Sequence, residues 1–311
     1  RTAAGAMVPR DGTVPMAANV VPGRVRDYAV ASLTATRPAW VDASAPPSAR
    51  ALIFHNGLGG FTRDGHEYVI TLNAGQNTPA PWVNVIANPQ FGTVVSESGG
   101  AYTWFENAHE FRLTPWHNDP VQNTTGEAFY IRADATGQFW APTPWAARGA
   151  PPSVSRHGFG YTVFEHTENG IESKLKIYVA MDAPVKFAVI KLRNVSGGPR
   201  RISVTGYWEW VLGDLRHKTL LNVQTEMDLK TGALLARNFY NTEFPDRIVL
   251  LDVSDPARSL TGNRKEFLGR NGTFNQPAAM KRARLSGKTG AGLDPCGALQ
   301  VAFELADGEE R

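Results

Sequence analysis

The fold class of this chain is decided by one stretch of nine residues, Ile171-Glu172-Ser173-Lys174-Leu175-Lys176-Ile177-Tyr178-Val179. Ile, Ser, Leu, Ile and Val alternate in it with Glu, Lys, Lys and Tyr. Because successive side chains of a β-strand point to opposite faces of a sheet, this period predicts a strand with one buried and one solvated face. Such a strand is typical of an antiparallel sheet.

Similar short runs, closed by Gly, Pro, Asn or Asp, occur along most of the chain. Besides the first stretch, alternating or apolar runs occupy residues 67–72, 161–165, 185–194, 200–212, 233–236, 247–253 and 298–305. The turn residues at 182–184 and 196–199 predict that runs 171–179, 185–194 and 200–212 form an antiparallel meander. No dozen residues show the period of a helix. We therefore expect an all-β fold, a large antiparallel sandwich of two sheets packed face to face.

Composition limits the classes of protein that this chain can belong to. Of its 311 residues 42% are hydrophobic, which is enough for a sizeable core. The formal net charge is only +3 and no basic stripe dominates, so we expect no nucleic-acid partner. Cys296 is the single cysteine, and no Cys/His spacing resembles a metal site, so we expect no metal. No 18 consecutive residues are apolar, so no membrane-spanning helix is predicted.

The chain divides into two parts by composition. Residues 1–48 are rich in Pro, Ala, Val and Arg without a sustained period, so we expect a linker or an N-terminal arm there. Residues 49–311 are expected to form one β domain. The chain opens with Arg1 and stops soon after the apolar run 298–305, so we expect both ends to be cuts in a longer polypeptide.

The segment from Pro79 to Trp145 differs from the rest. It holds five of the eight tryptophans amid Asn, Asp, Glu, His, Arg and Pro; they are Trp82, Trp104, Trp116, Trp140 and Trp145. Residues 102–120 are too polar for a core strand and too aromatic for an ordinary loop. We interpret them as a binding surface.

A sugar is the ligand that this mixture of residues fits. The flat C–H face of a sugar ring stacks on Trp, while carboxylate, amide and guanidinium groups match its hydroxyls. The candidate carbohydrate-binding residues are Trp104, Glu106, Asn107, Arg112, Trp116, Asn118 and Asp119. The alternative is that the aromatic residues pin a long excursion onto the sandwich, or pack against a neighbouring domain.

Several segments carry a resemblance to a known family. In chain order they are Asn56-Gly57-Leu58-Gly59-Gly60-Phe61, Asp64-Gly65-His66-Glu67-Tyr68-Val69-Ile70, residues 79–92, Leu113-Thr114-Pro115-Trp116-His117-Asn118-Asp119-Pro120, Glu127-Ala128-Phe129-Tyr130-Ile131-Arg132, Arg156-His157-Gly158-Phe159-Gly160-Tyr161 and Gly206-Tyr207-Trp208-Glu209-Trp210-Val211-Leu212-Gly213. From about Ala51 onward, the chain resembles the front domain of glycoside hydrolase family 94, formerly glycosyltransferase family 36. It is most similar to the phosphorylase-like region of bacterial cyclic β-1,2-glucan synthases.

The resemblance implies a supersandwich of the galactose-mutarotase type, followed in the parent protein by an (α/α)₆ barrel. In that family the general acid and most phosphate ligands belong to the barrel, so no residue of this chain is expected to be catalytic. The chain itself needs no cofactor, although phosphate can take part in the full-length parent. The partners implied are a β-glucan or gluco-oligosaccharide and the downstream barrel of the same polypeptide. The resemblance is also compatible with a homodimer. We expect the chain to be cytoplasmic, as the cytoplasmic part of an inner-membrane enzyme.

Two other functions stay open at this point. His157 and Glu165 could provide the acid and base of an independent mutarotase or epimerase, since enzymes on this kind of fold use a histidine and a carboxylate at the sugar ring. We interpret His157 as a structural histidine of the turn Arg156-His157-Gly158, in preference to a catalytic one. The remaining alternative is a purely structural interdomain module, whose tryptophans contact only protein.

Overall fold

A computed structural model describes residues 51–73, 75–145 and 152–311 of the chain. The expected linker or arm at residues 1–48 lies outside the described residues. The eighteen strands in the described ranges are β1 Leu52–Ile53, β2 Gly59–Thr62, β3 Glu67–Leu72, β4 Val83–Ala87, β5 Phe91–Ser96, β6 Ala101–Phe105, β7 Glu127–Ala133, β8 Gln138–Trp140, β9 Ser153–Gly158, β10 Tyr161–Glu168, β11 Ile171–Val179, β12 Lys186–Asn194, β13 Arg200–Glu209, β14 Val223–Met227, β15 Leu234–Asn238, β16 Ile248–Leu251, β17 Arg258–Asn263 and β18 Pro295–Leu305.

In the part of the chain that the structure describes, helices are short. The helices are α1 Arg216–Thr219 and α2 Arg264–Leu268, with one 3₁₀ turn at Ala278–Lys281. No helix within the described ranges is long and apolar enough to cross a bilayer. The prediction of an all-β fold is confirmed.

The strands form four antiparallel sheets. The largest has seven strands in the order β1-β2-β3-β9-β10-β11-β12, and the second has five in the order β17-β18-β13-β7-β8. Two three-stranded sheets, β14-β15-β16 and β4-β5-β6, complete the domain. The sequence pattern predicted the two large sheets but not the two small ones. A period of two residues identifies a strand, but it does not specify which strand is its neighbour.

One predicted connection is wrong. Strands β11 and β12 pair as expected, but β13 crosses to the other large sheet, where it pairs with β7 and β18. The link between β12 and β13 is not a two-residue hairpin. Asn194 directs this crossover, because its side-chain amide donates hydrogen bonds to the carbonyls of Gly198 and Leu305. The meander is instead formed by β10, β11 and β12.

The core packs against the inner face of β11, residues 171–179. Leu175 and Ile177 of β11 are almost completely buried, in one cluster with Phe91, Phe129 and Trp210. The charged side chains of β11 lie on its other face and are exposed. The alternation in the sequence therefore separates the buried from the solvated face as predicted.

Candidate functional site

Strand β6 carries Trp104 at the edge of the three-stranded sheet β4-β5-β6. Trp104 faces Gly92 of β5 across the strand pair. Its indole ring lies so close to the Gly92 backbone that a Cβ atom at that position would overlap the ring. Only glycine permits this approach, so the sequence of β5 determines where the ring sits. Trp104 is partly exposed.

Three aromatic rings form a row, which we call the aromatic surface: Trp104, Tyr102 and Trp116. The Tyr102 ring centroid lies 5.3 Å from Trp104 and 4.9 Å from Trp116, with interplanar angles of 32° and 33°. Tyr102 is buried, whereas the two tryptophans are partly exposed. Burial raises the pKa of the Tyr102 hydroxyl, and the nearby charge of Arg112 opposes this shift. The row thus presents two indole rings to solvent on a buried support.

Arg112 joins this surface through its backbone and its side chain. It forms isolated β-bridges with Trp104 on one side and Gly213 on the other. Its guanidinium Nη1 lies 3.5 Å from the carbonyl oxygen of Trp116, and its Nε lies 3.4 Å from that of Ala108. Both contacts are long, so the Arg112 guanidinium can still donate hydrogen bonds to a further acceptor beside the indole rings.

Glu106 and Asn107 follow β6 but serve other contacts. Glu106 has a φ of 60°, and its carboxylate lies 2.8 Å from the Nη2 atom of Arg247. The side-chain oxygen of Asn107 accepts hydrogen bonds from the backbone N–H groups of His109 and Glu110. Asn107 therefore shapes the turn between β6 and Arg112, and Glu106 is held in an ion pair.

Asn118 and Asp119 lie in the segment that follows Trp116. Asn118 is exposed and has a φ of 50°, a conformation that asparagine tolerates better than most residues. The Oδ1 atom of Asp119 accepts hydrogen bonds from the backbone N–H groups of Val121 and Gln122. Asp119 thus stabilises a turn. Of the seven candidates, the structure brings Trp104, Arg112 and Trp116 together.

Sequence reasoning missed Tyr102, which connects the two tryptophans. The signal was present, because Tyr102 and Trp104 are two residues apart and so share one face of a strand. Because residues 102–120 were interpreted as a binding surface, the two-residue alternation of a strand at its start was missed. Ala101, Tyr102 and Thr103 are all buried, so the segment begins with a core strand, β6, which ends at Phe105.

The other tryptophans of the aromatic segment do not belong to the surface. Trp140 is 1% exposed and lies in the core. Trp82 packs edge-on against Tyr68, and Trp145 packs edge-on against Phe274. The clustering of tryptophans in the sequence therefore combines core, support and surface residues.

His157 is held by contacts within the domain. Its Nε2 atom lies 3.0 Å from the carbonyl oxygen of Trp82, and its Nδ1 atom lies 3.0 Å from the hydroxyl of Thr162. Burial lowers the pKa of His157. Glu165 is 3.0 Å from a guanidinium nitrogen of Arg156. With both ring nitrogens engaged, His157 has the contacts of a structural histidine. Within residues 51–73, 75–145 and 152–311, no three His, Cys, Asp or Glu side chains converge on a metal-sized site.

Comparison with known proteins defines the class of this domain. Residues 66–311 match the family described as glycosyl hydrolase 94, supersandwich domain. The chain belongs to this family, as its resemblance to family 94 predicted.

Among individual proteins, the chain is 39% identical over 264 residues to a cyclic β-(1,2)-glucan synthase of Rhizobium meliloti (strain 1021), covering 84% of this chain and 9% of the synthase. It is 30% identical over 260 residues to an N,N′-diacetylchitobiose phosphorylase of Vibrio furnissii, covering 81% of the chain and 32% of that enzyme. A solabiose phosphorylase of Paenibacillus borealis is 29% identical over 266 residues, with 82% and 34% covered. The chain thus corresponds to a front domain of glucan- and disaccharide-processing enzymes, and it spans between 9% and 34% of their length.

Proposed function

We propose that this domain binds a β-linked glucan on its aromatic surface and presents it to a catalytic domain elsewhere in the polypeptide. The observation that carries the proposal is the row of Trp104, Tyr102 and Trp116, with Arg112 beside it. Two partly exposed indole rings on a rigid support suit stacking against sugar faces. The Arg112 guanidinium next to them can donate hydrogen bonds to the hydroxyl oxygens of a sugar.

The relatives support the choice of ligand. One relative is named for a cyclic β-(1,2)-glucan and two others for disaccharides. Because the identity to the glucan synthase is the highest of these three, a β-1,2-linked gluco-oligosaccharide is the ligand that we propose. The catalytic acid would lie on a downstream (α/α)₆ barrel, with phosphate as a co-substrate if the parent is a phosphorylase. A homodimer and a location on the cytoplasmic side of the inner membrane belong to the same proposal.

Titration calorimetry of the 311-residue chain with a linear β-1,2-gluco-oligosaccharide tests this function. Replacing Trp116 by Ala removes one stacking ring, so we expect the Kd to rise about ten-fold. Phe159→Ala is the matched control, because Phe159 is an aromatic residue that is 82% exposed and outside the aromatic surface. Equal Kd values for Trp116→Ala and the unmodified chain would remove the proposed role, and so would a complete absence of binding.

A second candidate is an interdomain contact surface, and the small sheet β14-β15-β16 favours it. Ile248 and Leu250 on β16 are 52% and 60% exposed on one face of this edge strand. Exposed apolar side chains on an edge strand are typical of a surface that another protein element covers. Such a contact is compatible with glucan binding at the aromatic surface.

A further inference from the structure

A cavity of about 360 Å³ lies beside the turn between β5 and β6. Its volume falls in the lower part of the ~300–1,000 Å³ range of small-molecule sites. The cavity is lined by residues from the end of β3 and the loop after it, the β5–β6 turn, the segment after Trp116, residues 143–145, β9 and β10. The three rings of the aromatic surface do not line it. The cavity is therefore a separate feature of the domain.

The walls of the cavity are fixed by short-range contacts. Gly99 in the β5–β6 turn has a φ of 92°, and a Cβ atom there would overlap Thr143. Ser98 accepts a 2.7 Å hydrogen bond from the backbone N–H of Trp145 at its carbonyl, and another of 2.7 Å from the Asn123 amide at its hydroxyl. Two separate segments, one with Thr143 and Trp145 and the other with Asn123, are thus pinned to one turn, so the cavity is a built part of the fold.

Four buried polar side chains line the cavity, those of Glu97, Thr143, Ser153 and His166, and two of them are titratable. Glu97 is 3% exposed, and its carboxylate accepts hydrogen bonds from the backbone N–H of Trp82 and the hydroxyl of Thr78. His166 is 5% exposed; its Nε2 atom lies 3.0 Å from Glu168, whereas its Nδ1 atom has no hydrogen-bond partner in the described part of the chain. A buried polar atom left without a partner costs free energy and calls for an explanation.

The rim offers uncommitted hydrogen-bonding groups and one aromatic face. Asn77 and Gln122 are exposed lining residues whose side-chain amides make no hydrogen bond to a described residue. Trp145 is partly exposed, and its ring packs edge-on against Phe274 at 5.0 Å. Among the described lining residues there is no Lys or Arg, so the cavity lacks the ammonium and guanidinium groups that bind phosphates and carboxylates most strongly.

We propose that this cavity binds a neutral sugar of one or two rings. Amides that both donate and accept match hydroxyl groups, and Trp145 supplies a face for the C–H side of a ring. The size of the cavity limits the ligand to a short saccharide or the end of a longer one. This site goes beyond the glucan-binding aromatic surface and does not depend on it.

An NMR titration of the 311-residue chain with glucose, and separately with the β-1,2-linked glucose disaccharide, tests the site. The indole N–H signal of Trp145 is assigned by its loss in Trp145→Phe. We expect this signal to move on addition of either sugar. In the double variant Asn77→Ala/Gln122→Ala the Kd should rise about ten-fold, because two hydrogen-bonding amides are lost. Gln224→Ala/Gln276→Ala, which removes two exposed amides elsewhere, should leave the Kd unchanged.

Three outcomes would overturn the proposal. These are an unmoved Trp145 signal at saturating sugar, an equal Kd in the Asn77→Ala/Gln122→Ala variant, and displacement of the sugar by inorganic phosphate. The signals of Trp104 and Trp116 report on the aromatic surface in the same spectra. Failure at the cavity is therefore distinguishable from failure of the proposed glucan binding.

Discussion

Lys186 and Glu127 form an ion pair inside the domain. Replacing one partner of a buried pair changes the free energy of unfolding more than replacing a surface residue does. The side chains are 8% and 2% exposed, and Nζ lies 2.5 Å from Oε2. The other carboxylate oxygen accepts hydrogen bonds from Thr103 and Thr114, and Nζ also donates to Thr93. Every group of the pair therefore has a partner, as a buried pair requires.

Replacing Lys186 by Met should lower the free energy of unfolding by about 3–5 kcal/mol, because it leaves the Glu127 carboxylate buried without its counter-ion. Chemical denaturation measures this loss. Lys191→Met on the same strand is the control, since that side chain is 55% exposed and its surface ion pair contributes about 0–1 kcal/mol. An equal loss of the free energy of unfolding in both variants would show that the buried pair stabilises the fold no more than the surface pair does.

His157 makes stability depend on pH. Burial lowers the pKa of His157 in the folded chain below its ordinary value of 6.5. At pH values between that lowered pKa and 6.5, the unfolded chain therefore binds more protons than the folded one. Stability from this residue is present at neutral pH and is lost as pH falls through that window. In His157→Gln the free energy of unfolding should therefore fall less between about pH 7.5 and pH 5 than in the parent chain.

The control for this measurement is His117→Gln, because His117 is exposed. It should retain the pH dependence of the parent chain. A parental pH slope in His157→Gln would contradict the structural role assigned to this histidine.

At the residue scale, the sequence predicted which aromatic side chains lie near one another better than it predicted the hydrogen-bond partners of each side chain. Trp104 and Trp116 do lie together beside Arg112. Asn107 and Asp119 were predicted as sugar contacts, but they hold backbone N–H groups of their own turns. Asn and Asp do this frequently in turns, and the sequence alone does not distinguish such a turn from a binding loop.

At the scale of elements, the pair β5–β6 positions the aromatic surface through Gly92. A methyl group at this position would displace the Trp104 ring, so Gly92→Ala should weaken glucan binding and lower the free energy of unfolding by about 1–3 kcal/mol. Calorimetry and denaturation measure the two effects. Gly198→Ala serves as the control, because no atom lies within 4 Å of a Cβ there. Unchanged glucan binding in Gly92→Ala would show that the position of the Trp104 ring does not matter.

Strand positions were predicted from alternation, but strand partners were not. The run at 171–179 is strand β11 with the predicted bounds. The run at 200–212 becomes β13, which is buried at Thr205, Gly206 and Tyr207. It lies inside the five-stranded sheet, where its two edges pair with β7 and β18, strands that lie far from it in sequence. Pairing over such distances depends on packing that no local pattern contains.

For the whole molecule, the central claim is that the domain binds a β-glucan on the aromatic surface while a further domain of the polypeptide carries out catalysis. The match over residues 66–311 fixes the family, and the alignments cover only part of each relative. The seven- and five-stranded sheets supply the rigid support, and the three-stranded sheet β4-β5-β6 carries the surface. Binding should therefore require no rearrangement of the large sheets.

The most direct measurement follows the eight indole N–H signals by NMR while a linear β-1,2-gluco-oligosaccharide is added to the 311-residue chain. The account predicts that the signals of Trp104 and Trp116 move together along one binding curve, while that of the core residue Trp140 stays in place. Signals of Trp104 and Trp116 that remain fixed at saturating oligosaccharide would contradict it.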